Sequence, residues 1–433
     1  MKKLGFLETF SIGVGGMVGG GIFAVLGLTI DLAKGAAPIA FLIAGLIALI
    51  TAYSYAKLSI KFPSEGGSIE FIVQAFGNNT FSSIINNLLL ISYVIMLSLY
   101  ASAFGNYASA LFFGKKVIWF YKLSAIGIIS IFVLINLMGA FLTGKAEDIL
   151  VYIKIAILIG FIIIGFYTAN HFDRLSPKYW ENFIKIVTGG LIIFLAYEGF
   201  ELIANAAKDV ENPQTTLPKA FFASVIFVML LYVSIAIVTI ANVDFQTAKQ
   251  AKDYVLAIAA KPLLGNTGFA IIAIAAMLST ASAINATIYG AGRAGYLIAK
   301  LGEIPKDFAK KIKNGYEGMI ILGLLAIIFA ISFNIENISI AGSFGFLVIF
   351  GLVNLANFKL RKITNSNAFI SLLGSILCFL SVIILIGYNL IHNPSSLQSS
   401  IWVIVIVTVF TVIYKKLGEK MKKTLDEELR LKN

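Results

Sequence analysis

Apolar runs, each about the length that crosses a bilayer core as a helix, recur along the whole chain. In lipid the backbone of each run must satisfy its own polar groups, so the pattern predicts helices and not open strands. Twelve spans are expected: Thr9–Ala33, Ala36–Ile60, Asn79–Phe112, Lys122–Leu142, Glu147–Ala169, Asn182–Ala207, Leu217–Asn242, Gly265–Ala299, Glu317–Phe333, Ile338–Phe358, Ala368–Ile391 and Gln398–Tyr414. Between them, Ser64–Phe76 reads as a surface helix and Ala248–Leu264 as a helical loop. The expected fold is an all-α integral membrane protein with 12 transmembrane helices and no stretch left over for a separate soluble domain.

The first run carries six glycines, Gly13, Gly15, Gly16, Gly19, Gly20 and Gly21. Each disfavours a helix interior by about 1 kcal/mol relative to alanine, and a plain anchor needs none of them. Broken backbone at membrane depth is tolerated only where it is buried in protein or lines a cavity, and transporters use such breaks to bind small charged solutes. The sixth run is interrupted as well, at Gly189, Gly190 and Gly199, and Pro38 and Pro218 are expected to open the runs that follow. Runs three and eight are the longest of their halves. Five spans per half is an odd number, so the second half enters the membrane from the opposite face. This predicts a 5+5 inverted repeat with broken helices 1 and 6, covering 9–169 and 182–358 of one transporter domain (1–433). Two additional helices (368–414) and a basic tail (415–433) follow it.

Composition sharpens the class. The 433 residues are 59% hydrophobic and 13% charged, against about 25% charged in soluble domains. The net charge of +12 would suggest nucleic acid, but its distribution argues for a bilayer. About two-thirds of the 34 lysines and arginines fall on the even-numbered loops and the two ends of the chain. The positive-inside rule then places both termini in the cytoplasm, Ser64–Phe76 on the cytoplasmic surface and Ala248–Leu264 outside. The tail from Lys415 is expected to meet anionic lipid heads. Lys2 and Lys3 lead into a full-length span without a small-residue cleavage site, so no cleavable signal peptide is expected. Cys378 is alone, which excludes an intrachain disulfide, and His171 and His392 stand in outer loops without metal-ligand neighbours. No metal, cofactor or enzymatic role is expected, since no nucleophile–base pair or ligand cluster is present.

The candidate chemistry sits at the breaks. Gly20 and Gly21 open a half-helix whose orphan N–H groups and positive dipole end suit a carboxylate. Carbonyls around Val18, beside Gly19, suit an ammonium group. Close helix packing is the competing explanation, since Gly15-x-x-x-Gly19 is itself a small-residue contact motif. In the sixth run, Glu198 and Glu201 stand at i and i+3, on one face near mid-membrane. Intramembrane acids are costly and serve a pathway or a partner. Glu198 touches the predicted break and is a candidate for solute contact; Glu201 is a candidate for proton handling. Lys154 lies seven residues into the fifth run with leucines at i±4. Burial disfavours the charged ammonium, so a lysine there can take up and release a proton; snorkelling to the lipid heads is the alternative. Ser279, Thr280, Ser282, Asn285 and Thr287 in the eighth run are candidate hydroxyl and amide partners, although such residues often bond their own helix.

Taken together, these segments resemble the amino acid–polyamine–organocation (APC) superfamily of transporters. Ile12–Phe23 resembles its first-span glycine motif. Phe194–Phe200, followed by Glu211-Asn212-Pro213-Gln214 and Leu217-Pro218, resembles its sixth span and the following loop. Asn285-Ala286-Thr287-Ile288-Tyr289-Gly290, with Arg293 and Gly302-Glu303-Ile304-Pro305, resembles its eighth span and the loop beyond. The resemblance implies the leucine-transporter fold and secondary transport of amino acids. It implies substrate contacts at Val18, Gly19, Gly20, Gly21, Leu195, Ala196 and Glu198. Lys154 matches a fifth-span lysine of proton-coupled, sodium-independent members, which implies Gly15 carbonyl and Ser279 hydroxyl as its partners, and Glu201 falls where some members carry a proton-sensing acid. Leu195 departs from the aromatic gate of many members, and Glu198 from an apolar residue, which hints at a cationic side chain on the solute.

The expected activity is proton-coupled import of amino acids by alternating access in the cell membrane, as a monomer or weak oligomer. An amino-acid or polyamine exchanger is the alternative within transport, and a channel the alternative outside it.

Overall fold

The computed structural model describes residues 3–139 and 144–430, and only the backbone of 144–148, 399 and 418–430. Lys2, the predicted end of the fourth span at Leu142 and the last residues of the tail lie outside the described residues.

The described chain is helical apart from one short hairpin, Lys311–Ile312 with Gly315–Tyr316. In order the helices are α1 (Phe6–Met17), α2 (Gly21–Ala33), α3 (Ala37–Lys61), α4 (Ser68–Phe76), α5 (Thr80–Phe113), α6 (Ile118–Leu137), α7 (Gly144–Thr168), α8 (Phe183–Ile192), α9 (Leu202–Asn205), α10 (Pro213–Asn242), α11 (Phe245–Gln250), α12 (Val255–Ala259), α13 (Lys261–Lys300), α14 (Glu317–Ser332), α15 (Ile335–Lys359), α16 (Arg361–Thr364), α17 (Ala368–His392) and α18 (Pro394–Arg430). A 3-10 segment, Phe194–Glu201, joins α8 to α9. Among the described residues ten helical stretches are long and apolar enough to cross a membrane, and α1 with α2, bent by 46°, makes an eleventh. The 16-residue α14 is apolar but shorter.

Asparagine caps set several starts. Asn79, Asn182, Asn334 and Asn367 each accept a bond from a backbone N–H in the first turn of α5, α8, α15 and α17, which satisfies one of the four donors a helix start leaves open. The cap at Asn334 is why α15 begins three residues before the expected Ile338.

Several expectations need correction. The fourth span runs from Ile118 and stops at Leu137, because Gly139 turns the chain with φ +76°. Pro213, not Pro218, opens α10; Pro218 lies inside it. The last helix starts at Pro394 and continues through the predicted tail to Arg430. The surface helix is shorter than Ser64–Phe76, and it buries Ile69, Phe71 and Ile72 against α5 and α15. The loop over 248–264 is helical, as α11 and α12, and α13 carries a kink at Leu264 and Gly265 where the predicted eighth span begins.

Two helix groups organise the core. α5 packs most extensively on α13 and also on α6 and α14, while α10 packs on α3 and α1. Glycines set the closest approaches. A Cβ on Gly199 would collide with the backbone of Gly16 and Met17, whereas one on Gly127, in α6, would meet nothing within 4 Å. Gly199→Ala is therefore expected to lower stability by about 1–3 kcal/mol through overpacking. Gly127→Ala is expected to leave it unchanged or raise it by up to about 1 kcal/mol through helix propensity. Thermal melts of the two purified variants in detergent check the contrast.

Candidate functional site

The first break is narrower than the glycine cluster. Gly13, Gly15 and Gly16 lie within α1, and only Val18–Gly20 leave the helix. The Val18 N–H still bonds the Val14 carbonyl at 2.8 Å, and regular pairing resumes with Ala24 N–H to the Gly20 carbonyl at 3.0 Å. The carbonyls at the break find side chains instead. Tyr232 donates to Met17 at 2.6 Å, and Ser279 donates to Val18 at 2.6 Å. Buried carbonyls need such partners. As at any helix start, the first N–H groups of α2 have no acceptor within the helix.

The sixth span does not unwind, which corrects the expected open break. Over Phe194–Glu201 it tightens into a 3-10 helix. The Ala196 N–H turns to the Ile193 carbonyl at 2.9 Å. That shift leaves the Ile192 carbonyl without its helical donor. Ser339 and Ser343 of α15 supply two hydroxyls to it, each at 2.7 Å, and the Ser343 oxygen also accepts the Leu195 N–H at 3.1 Å. Tyr232 reaches the Ala196 carbonyl at 3.3 Å, so one phenol spans both interrupted helices.

The glycines pack, as the competing reading anticipated. A Cβ on Gly16 would stand 2.7 Å from the Gly199 carbonyl oxygen, one on Gly19 2.8 Å from Ala283, and one on Gly21 2.7 Å from the Ala196 methyl; one on Gly20 would run into the Tyr100 ring. The two spans thus meet backbone to backbone at Gly16 with Gly199 and at Gly21 with Ala196, while Gly19 faces Ala283 of α13 and Gly20 faces Tyr100 of α5. Leu195 turns away from it. Its side chain is fully buried, and its Cδ1 would lie 2.9 Å from a Cβ on Gly342 of α15.

Glu198 and Glu201 are 4% and 2% exposed. Residues three apart eclipse in a 3-10 helix, so the two side chains stand in line more closely than an α-helix would set them. Their surroundings differ. Glu201 accepts from Tyr93 at 2.7 Å and from the Ser68–Tyr55 pair, whose oxygens lie 3.0 and 3.2 Å from it and share a hydrogen bond with each other at 2.6 Å. Glu198 has no hydrogen-bond partner among the described residues, and its Oε2 is sealed from solvent. Tyr93, Tyr100 and Tyr55 are near enough to Glu198 to interact with it electrostatically.

Lys154 is buried at 3% exposure, not snorkelled. It lies one turn beyond Val151, whose Cγ2 would sit 2.8 Å from a Cβ on Gly15. Ser279 commits its proton to Val18. Thr280 bonds its own helix at the Ala276 carbonyl (2.7 Å), and Asn285 accepts from Asn136 of α6 at 2.8 Å. Sequence reasoning missed Tyr232, Ser339, Ser343, Tyr55, Ser68, Tyr93 and Tyr100. Their partners are more than a hundred residues away in most cases, and only an abundance of hydroxyls in apolar runs signals them.

Loops close over one end. Gly27 of α2 presses on the backbone of Lys252, and Lys252 pairs with Glu336 at 3.2 Å while Asp253 pairs with Lys116 at 2.7 Å. At the other end, Leu4 pairs with Val210 through Leu4 N–H to the Asp209 carbonyl and Glu211 N–H to the Leu4 carbonyl, both 2.8 Å. Arg293 pairs there with Glu65 at 2.8 Å.

An all-helical bundle of apolar spans, two of them interrupted at depth and pressed together, defines a multi-pass membrane transporter. The chain belongs to the amino acid permease family, whose model matches residues 4–411, within the APC superfamily. It is 35% identical to an uncharacterised protein of Methanocaldococcus jannaschii, over 97% of each chain, and 33% identical to the Escherichia coli inner membrane transport protein YbaT, over 93% of each. In fold it is similar to a manganese transporter of Eremococcus coleocola, with a TM-score of 0.60 over 94% of this chain and 93% of that one, at 12% identity. The protein is thus an amino acid transporter of the cell membrane.

Tyr232→Phe removes one hydroxyl and keeps the ring. Leaving the Met17 carbonyl buried without a donor is expected to cost about 1–3 kcal/mol, read as a lowered melting temperature together with slower uptake in vesicles.

Proposed function

We propose that this transporter imports amino acids together with protons, independently of sodium, by alternating access. The observation that carries the reading is the seam where α1 and the 3-10 segment meet, with Lys154 buried close by on α7. In this reading the amino-acid carboxylate takes the N–H groups of Gly20 and Gly21. The ammonium group takes carbonyls near Val18 and Gly19. Ala196 and Glu198 complete the wall, and Leu195 backs it from the side of α15. Val18 keeps one carbonyl lone pair for this after accepting from Ser279.

Lys154 is proposed as the proton carrier, with the Gly15 carbonyl and Ser279 hydroxyl as its partners when charged. Glu201 is proposed as a second proton-handling group. The hydroxyls around it come from α3, α4 and α5, so its charge bears on contacts between helices. Proton and solute are linked when both bind one conformation better than the other.

The architecture in this reading has twelve spans, with α14 as the ninth; its 16 residues reach about 24 Å at 1.5 Å each, short enough to need local thinning of the bilayer. The repeats are 9–169 and 182–358 in inverted orientation. Supporting this, the break between α1 and α2 matches the break after α8, and the long α5 matches the long α13. Both termini are proposed to be cytoplasmic, from the distribution of Lys and Arg. No enzymatic activity is proposed, and the working unit is a monomer or weak oligomer.

Reconstituted vesicles test the reading. Uptake of an amino acid is expected to rise with an inward proton gradient, to saturate, and to ignore sodium. Uptake only in exchange for preloaded solute would instead mean an exchanger, and unitary currents without accumulation would mean a channel. Lys154→Ala is expected to lose most of the response to the proton gradient; full retention would remove the lysine from the mechanism.

A further inference from the structure

We propose that the groove between α7 and α13 is a binding site for one acyl chain of an anionic phospholipid, with Lys261 receiving the headgroup phosphate. The site itself does not depend on which solute is carried; its effect on uptake rests on the transport reading above.

The groove is a cavity of about 210 Å³, and each residue that lines it is apolar or glycine. Ile157, Gly160 and Phe161 form its α7 wall, and Leu264, Gly268 and Ile272 its α13 wall. Two local features make the space. Gly160 leaves a notch in α7, since a Cβ there would meet nothing within 4 Å. α13 departs from helical geometry at Leu264 and at Gly265, where φ is +62°, so its first turn does not continue as a straight rod along α7. Leu264 and Ile271, 50% and 42% exposed, stand on the open rim.

The setting selects the occupant. Both walls belong to helices long and apolar enough to cross a membrane. Water finds no hydrogen-bond partner in a wholly apolar cavity, and an unfilled gap forfeits the dispersion contacts of its lining. Hydrocarbon is the medium at that depth, and a narrow cleft between two helices suits a single chain of it. Charge then selects the head. Lys261 opens α13, three residues before Leu264, and its side chain is exposed. Its Nζ stands 4.9 Å from the centre of the Phe269 ring, next in sequence to Gly268 of the groove wall. Among the described residues no carboxylate forms an ion pair with it. An ammonium group at the end of an apolar groove, with no counter-ion from the protein, is a place for a lipid phosphate.

The groove continues toward the proposed proton carrier. Ile157 and Phe161 follow Lys154 by three and seven residues, the spacing of one helix face. On the facing helix Ile272 precedes Ser279 by seven residues, and Ser279 holds the Val18 carbonyl. A chain in the groove therefore sets the approach of α7 to α13 beside Lys154 and Ser279. A lipid that binds this arrangement better than another shifts the balance between them.

Native mass spectrometry of the purified full chain, titrated with phosphatidylglycerol or with phosphatidylcholine of the same chain length, reads the first bound lipid. The wild-type protein is expected to bind phosphatidylglycerol about fivefold more tightly, the scale of one lysine near an anionic lipid. Lys261→Gln is expected to remove that preference, and Lys261→Arg to keep it. Gly160→Leu, whose side chain enters the open notch, is expected to weaken both lipids by about tenfold or more, the scale of two methylenes losing their contacts. Gly127→Leu, which enters open space on α6, is expected to change neither. In vesicles, uptake is expected to respond to phosphatidylglycerol content in wild type and not in Gly160→Leu. Equal affinity of the wild-type protein for the two lipids, a preference that survives Lys261→Gln, or unchanged lipid binding in Gly160→Leu overturns the proposal. The wild-type and Lys261 arms decide it alone if Gly160→Leu folds poorly. Failure of the wild-type protein to take up any amino acid would be a different result, because it removes the transport reading and leaves the lipid measurements standing.

Discussion

The structure depends on one contact, the backbone of Gly16 and Met17 against that of Gly199. Side chains normally hold helices 8–10 Å apart. Here neither helix has one at the crossing, and the main chains touch. A touching pair of main chains at membrane depth leaves no room for water, so every carbonyl freed by the local change in helical geometry must be satisfied by protein. Tyr232, Ser279, Ser339 and Ser343 do this, from three further helices. The seam, the hydroxyls and the irregular backbone therefore form one unit.

That unit also divides the molecule. α1 is tied to the chain beyond α9 at its start, by Leu4 and Val210, and to Gly199 near its end. α1, the 3-10 segment, α3 and α10 are thus one packed group. α5, α6, α13 and α14 form another. Among the described residues few side-chain hydrogen bonds join the two, among them Ser279 to Val18 and Tyr93 to Glu201. Packed cores are bistable and not continuously deformable, so a boundary held by a few directed hydrogen bonds is the natural place for one group to move against the other.

Much of the fold was legible because lipid makes span length and apolar content nearly sufficient signals. The spans expected to begin at Asn79 and Asn182 begin beside them in the structure, where each asparagine caps its helix. What misled was equally local. Pro218 suggests a helix start, yet Asn212, with φ +48°, had already turned the chain and Pro213 opened the helix. The glycines also pack, on Gly199, Ala196, Ala283 and Tyr100, and no short-range pattern announces those partners. The seam itself was half legible. Glycines at Gly16, Gly21 and Gly199 flagged both breaks, but the 3-10 winding depends on Ser339 and Ser343, about 150 residues further on. The asymmetry between Glu198 and Glu201 was invisible in sequence, since it is made by Tyr55, Ser68 and Tyr93 from three other helices.

The tightened segment gives the sixth span a variable pitch. A 3-10 helix rises about 2.0 Å per residue and an α-helix 1.5 Å. Over the eight residues Phe194–Glu201 the difference is about 4 Å of length, and at 120° against 100° per residue it is roughly 160° of rotation. Rewinding this stretch would retract and turn everything beyond Glu201 like a screw, provided α15 released the Ile192 carbonyl. Two serine hydroxyls are therefore the catch on a thread that, once free, would carry both carboxylates to new bearings.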